Sequence, residues 1–329
     1  MSNEKPIIID GLQYCRWDRA YFESLKNSGI TAVHITLVYH ETARETLTRF
    51  AQWNHYFELY QDLIMPIRSS KDIILAITSE RIGILLGAQN CSPIDDEIGL
   101  VEVMRQQGLL IMQLSYNNQS LLASGCYEQH DGGITRFGRQ VITEMNRVGM
   151  IIDMSHSAER STLEAIDLSS RPLCISHANP SAAHSALRNK SATVLRALTQ
   201  RDGLIGFSLY PFHLPNSSQC TLTDFCHMIA DTAALIGIEH IGIGSDLCLN
   251  QPQHVLEWMR NGRWSKTIDY GEGSSNNAGW PEPLSWFKNS TGMMNIYQGL
   301  LDHGFNLHEC NQIIGTNWLN FLKKGLIAT

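Results

Sequence analysis

Short apolar runs recur along the chain, each followed by a stretch in which apolar residues return every three to four positions. The runs are Ile7 to Leu12, Thr31 to Val38, Ile82 to Ala88, Leu109 to Ser115, Met150 to Ser155, Pro172 to Ser176, Gly203 to Leu209 and His240 to Ser245. Several are continuously apolar, the pattern of parallel strands buried on both faces. The stretches between them, Arg136 to Val148 and Ala158 to Leu168 among them, keep helical periodicity. Strand and helix alternating eight times predict an α/β fold closed into a (β/α)8 TIM barrel, a single domain over residues 1–329. An open dinucleotide-binding sheet fits less well, because no Gly-x-Gly-x-x-Gly turn follows the first run. After the last run, residues 249–286 are long, polar and aromatic before a final helix. So long a connection is uncommon without a role, and it is expected to cover the barrel mouth as an extended eighth loop.

Composition narrows the function. The 329 residues are 43% hydrophobic and 17% charged, enough for a large core, and the formal net charge of -7 gives no basic surplus for a nucleic-acid backbone. The N-terminus has no apolar leader, and no apolar stretch approaches the roughly 20 residues that span a bilayer, so no membrane role is expected. Eight cysteines (15, 91, 126, 174, 220, 226, 248 and 310) are scattered without a Cys-x-x-Cys pair. That usage points to reduced thiols and a cytoplasmic protein. Gly-x-Ser-x-Gly is absent too, which argues against a serine hydrolase of the usual α/β kind.

Barrels of this kind carry their chemistry at the C-terminal ends of the strands. There the chain reads Asp153-Met154-Ser155-His156, Ile175-Ser176-His177 and Gly244-Ser245-Asp246. One histidine after a strand is usually an ordinary polar residue. Two on neighbouring strands, with an aspartate from the last strand across the mouth, suit one metal ion and a proton-transfer carboxylate. His34 on the second run is expected to be a buried, hydrogen-bonded histidine.

These residues sit in segments that together resemble the renal (membrane) dipeptidase family of metallopeptidases, within the amidohydrolase superfamily. The segments are Ile9-Asp10-Gly11, Gly132 to Gly138, Glu144 to Met150, Ile152 to His156, Ser176-His177 with Arg188-Asn189 downstream, Ile243 to Asp246, and Gly315 to Leu319. The resemblance implies a barrel of the metallo-dependent hydrolase type, two zinc ions, and cleavage of dipeptides or related small amides. It also carries pairing into homodimers, although no segment identifies an interface. By position, His156 and His177 match ligands of the second metal. Arg188, with Asn189 beside it, matches the group that holds a substrate carboxylate, and Asp246 the carboxylate that handles the proton.

The rest of the family pattern is broken. Leu12 and Tyr14 stand where the family has a histidine and an aspartate ligand of the first metal. Gln89 replaces the bridging glutamate, and Tyr116 stands where a histidine often lies near the substrate oxygen. Leucine cannot ligate, and a neutral glutamine lacks the charge that lets two cations share a bridge, so at most one zinc ion is expected. Cys15, Cys91 and the donor-rich loop 125–131 are candidate replacement ligands, with buried filling and solvated loop chemistry the plainer readings. Trp264 and Trp280 are candidate pocket walls.

The leading expectation is therefore a dipeptidase-like amidohydrolase with a small carboxylated substrate, using His156 and His177 for the metal, Asp246 for the proton and Arg188, Asn189 and Gln89 for the substrate. Two alternatives remain open: a metal-free enzyme working through Asp246, Tyr14 and Tyr116, and a non-catalytic ligand-binding descendant.

Overall fold

A computed structural model describes residues 5–263, 265–266 and 280–326. Each of the eight apolar runs contains a strand: β1 (Ile9–Gln13), β2 (Ala32–Val38), β4 (Ile82–Ala88), β5 (Leu109–Gln113), β6 (Ile151–Asp153), β7 (Cys174–Ile175), β8 (Leu204–Phe207) and β9 (Ile241–Ile243). All pair in parallel, and β1 bonds to both β2 and β9. The sheet then runs through β8, β7, β6, β5 and β4, and β2 pairing with β4 closes it. Every residue of β2 and β4 is buried, which is why β4 reads as an unbroken apolar run and β2 as one broken only by His34 and Thr36.

One strand escaped the sequence pattern. β3 (Ile64–Pro66) pairs with the first half of β4, below the point where β5 joins it. Three residues ending in proline are too short to write a recognisable run.

The region after β9 also differs in detail from the expectation. The polar section contains a helix, Gln253–Asn261, whose Leu256 and Met259 are buried. The single final helix is instead a succession: Met293–Asp302, Leu307–Asn311, a π turn at Gln312–Thr316, and Asn317–Gly325. The last of these locks the barrel. Trp318 Nε1 donates to the Ile243 carbonyl at 2.9 Å, and Asn317 Nδ2 donates to the carbonyls of Ile238 and Ile241 at 2.7 and 2.8 Å. The indole lies against Gly11 and Gly242, where any side chain would collide with it. The motif Gly315 to Leu319 is thus structural. No described helix is long and apolar enough to cross a membrane.

Candidate active site at the barrel mouth

Asp246 follows β9 in a left-handed backbone conformation (φ 57°), which aspartate tolerates better than most residues. Its amide donates to the Leu12 carbonyl at 3.0 Å. The preceding Ser245 is clamped by Asp10, which accepts from the Ser245 amide at 2.7 Å and its hydroxyl at 2.5 Å. A second clamp repeats the arrangement. Asp153 accepts from the Ser176 amide at 3.0 Å and the Ser176 hydroxyl at 2.5 Å, which fixes the next residue, His177.

The Ser176 hydroxyl also lies 2.7 Å from His177 Nδ1. Its one hydrogen goes to Asp153, so it accepts from the ring, and the network assigns the imidazole proton to Nδ1. His156 Nδ1 is 2.7 Å from Asn117 Oδ1, which likewise assigns the proton there. Both Nε2 lone pairs then face one point. His156 Nε2 lies 3.0 Å from His177 Nε2 and 2.9 Å from Gln89 Oε1. Burial first, and the positive Arg188 second, hold both rings well below the usual histidine pKa, so both are neutral at neutral pH. Lone pairs converging without a proton between them make a donor set for one cation. Among the described residues no three His, Cys, Asp or Glu side chains gather as a metal-ligand group. What gathers at this point is two imidazole nitrogens and one neutral amide oxygen, a set that could hold a cation.

The cavity beside these groups holds about 480 Å³, its open mouth included. Tyr14, Gln89, Tyr116, His156, Arg188, Asp246 and Trp280 all line it, so most of the sequence candidates meet in one place. His177 joins through His156. Burial raises Asp246 to about 7, with Arg188 opposing, Asp10 adding and Arg260 opposing. Tyr14 is raised well above the usual phenol value, chiefly by burial, with Asp246 adding. Tyr116 is raised as well, again chiefly by burial, with Arg260 opposing. Both stay protonated and act as hydrogen-bond donors rather than bases.

Several candidates lie elsewhere. Asn189 is not a lining residue: its amide donates to the carbonyls of His184 and His213 at 2.8 and 2.9 Å, and so holds the loop after β7. Cys15 turns away from the mouth and donates to Tyr21 Oη at 3.1 Å and the Leu247 carbonyl at 3.2 Å. Burial pushes its thiol up to about 12, and that of Cys91 up to about 11, far from a ready thiolate. Within loop 125–131 only Tyr127 lines the cavity, while Asp131 caps the following helix region through Ser161 Oγ at 2.7 Å. His34 is buried and lies 2.6 Å from the Gly11 carbonyl through Nδ1, inside the barrel. Trp264 lies outside the described residues.

Arg188 serves two ends. Its guanidinium donates to the carbonyls of Ser155 and His177, the latter at 3.2 Å, while the side chain also borders the cavity. Sequence reasoning missed Asn117, Tyr210, His213 and Arg260. All sit on loops or on the helix Gln253–Asn261, and the only signal for Arg260 was the length of the eighth loop.

A parallel-stranded barrel with paired histidines and a last-strand aspartate at its mouth has the architecture of the metallo-dependent amidohydrolases. The chain belongs to the membrane dipeptidase family (peptidase family M19), whose profile matches residues 23–260. It is similar to an amidohydrolase from Pseudomonas aeruginosa of known structure, at 31% identity and a TM-score of 0.92, over 98% of this chain and 97% of that one. A metallopeptidase from Rhodobacter sphaeroides, solved with a phosphinate mimic of the dipeptide L-Ala-D-Ala, shares the fold at 14% identity and a TM-score of 0.77, over 98% and 100% of the two chains. A Claviceps purpurea dipeptidase, tcpJ, is 27% identical over 222 residues, 66% of this chain and 52% of the relative. The chain thus spans about half the length of that curated relative.

Proposed function

We propose that this protein hydrolyses a small amide or dipeptide-like substrate that carries a carboxylate, with at most one metal ion at His156 and His177. The observation that carries the reading is the meeting of His156, Gln89, Arg188 and Asp246 around one cavity at the barrel mouth. Zinc suits the donor set, with Gln89 Oε1 as the third protein group. Such an ion, when bound, polarises a carbonyl and acidifies water.

The chain's own residues supply the rest. Water adds to the amide carbonyl carbon, the C–N bond breaks, and the departing nitrogen needs a proton. Asp246, poised near 7, takes the proton from water and returns it to nitrogen. Tyr14 and Tyr116 keep their O–H groups and donate to the oxygen on which negative charge develops. Arg188 and Arg260 make the cavity electropositive and draw the substrate carboxylate. We place the activity in the cytoplasm, a reading supported by eight free thiols.

The test is metal content of protein purified without chelator and then offered zinc, alongside an amide and dipeptide hydrolysis screen. About one equivalent is expected, lost in His156→Ala and in His177→Ala together with turnover. Two equivalents, or turnover unchanged in His156→Ala and Asp246→Asn, would overturn the proposal.

A further inference from the structure

A second cavity borders the first across shared walls. It holds about 440 Å³, shares Tyr14, Tyr210, Asp246 and Trp280 with the first, and continues between Leu209, Pro211, Leu247, Leu284 and Phe287. The two lobes differ in chemistry. Arg188, Arg260, His156 and His213 border the first. No lysine, arginine or histidine borders the second among the described residues, and its one carboxylate is Asp246 at the junction. Arg260 comes from the helix Gln253–Asn261 and is aimed by donating to Tyr210 Oη at 3.1 Å, a residue common to both lobes.

We propose that the cleft selects an N-acyl amino acid, with the carboxylate toward Arg188 and Arg260, the acyl chain in the apolar lobe, and the amide beside Asp246. This rests on the hydrolase reading and names its substrate class. A free dipeptide carries an ammonium group on the side of the amide opposite its carboxylate. With the carboxylate on the arginines, that ammonium enters the apolar lobe. The single carboxylate there is the one that must move the reaction's proton, and an ammonium paired to it would weaken it as the base that takes the proton from water. A buried charge without a partner is strongly disfavoured. An acyl chain brings no charge and covers Leu209, Leu247, Leu284 and Phe287, which favours its burial. Hydrolysis then gives a carboxylic acid and a free amino acid: the carbonyl carbon gains the water oxygen, and the nitrogen gains a proton.

The experiment measures kcat/KM of the zinc-supplemented protein on N-acetyl-, N-butanoyl-, N-hexanoyl- and N-octanoyl-alanine of both hands, with alanyl-alanine as the free dipeptide. A gain of about tenfold or more from acetyl to hexanoyl is expected, since each buried methylene contributes severalfold, with the free dipeptide slower than any acyl substrate. Leu284→Ala should move the optimum to longer chains and Leu284→Phe to shorter ones. A flat chain-length profile, or a dipeptide faster than every acyl-alanine, overturns the proposal. Calorimetric binding of the same compounds separates this from the underlying reading. Affinity that rises with chain length in the absence of turnover keeps the lobe assignment and removes the hydrolase reading. Turnover with no chain-length dependence does the reverse. If the Leu284 variants do not fold, the wild-type series alone decides.

Discussion

Replacing Asp246 with asparagine keeps the shape of the side chain and removes its titration. In the folded protein the carboxyl sits at about 7 rather than its ordinary 3.8, because burial penalises the anion more than Arg188 and Arg260 favour it. The native state therefore holds this proton more tightly than the unfolded chain does. The resulting stability is complete below about pH 4 and is lost as pH rises through about 7. A gap of about three pKa units, at about 1.4 kcal/mol each, amounts to about 4 kcal/mol. Asparagine has nothing to lose over that interval. Urea unfolding of both proteins between about pH 5 and pH 8 should show the variant gaining on the wild type as pH rises, then levelling off above about pH 7. Asp10 is also raised, to about 6 by burial, but it is present in both proteins and cancels in the difference. The variant should meanwhile lose about a hundredfold or more in turnover. A stability difference that stays constant across this pH range would refute the reasoning. It would mean that Asp246 is ionised in the folded state throughout and holds no proton to give.

Arg260→Gln should raise KM for carboxylated substrates by about tenfold or more, with a smaller effect on kcat, as removal of a charge-assisted contact predicts; steady-state kinetics with an unchanged KM would place the carboxylate elsewhere. Zinc at about a hundred times its dissociation constant should stabilise the wild-type fold by about 2.7 kcal/mol, read as a thermal shift that His177→Ala abolishes. Trp318 is 1% exposed, and Trp318→Ala should cost about 3–5 kcal/mol in urea unfolding by opening a cavity against β1 and β9. A cost below about 1 kcal/mol would show that the last helix does not lock the barrel.

The barrel was legible because strands buried on both faces are largely apolar: β4 is so throughout, and β2 departs only at His34 and Thr36. β3 was not, since three residues ending in Pro66 leave no pattern. His156, His177 and Asp246 were legible as titratable side chains two or three residues past the end of a strand, the place where a barrel strand meets its mouth. Arg260, Tyr210 and Asn117 were hidden for the opposite reason. They reach the cavity through the path of loops and one short helix, and spacing does not encode that path. Cys15 shows the limit from the other side: it lies one residue after Tyr14, which lines the cavity, yet alternation along the extended chain turns its thiol toward Tyr21.

The two aspartate–serine clamps hold two of the candidate side chains independently of the side chains at positions 12 and 14. Asp10 fixes Ser245 and so Asp246, and Asp153 fixes Ser176 and so His177. Neither clamp uses Leu12 or Tyr14 side chains, and Asp10 gains a further acceptor contact from Gln13 Nε2 at 2.7 Å. Asp246 and His177 are therefore held through the backbone and hydroxyl of the serine before each of them. Leu12 and Tyr14 build the wall instead: they pack with Tyr39, Tyr116 and Met259 into one apolar cluster, and Tyr14 also borders the second cavity. This side of the mouth is thus aromatic and aliphatic surface, next to the lobe proposed to take an uncharged chain.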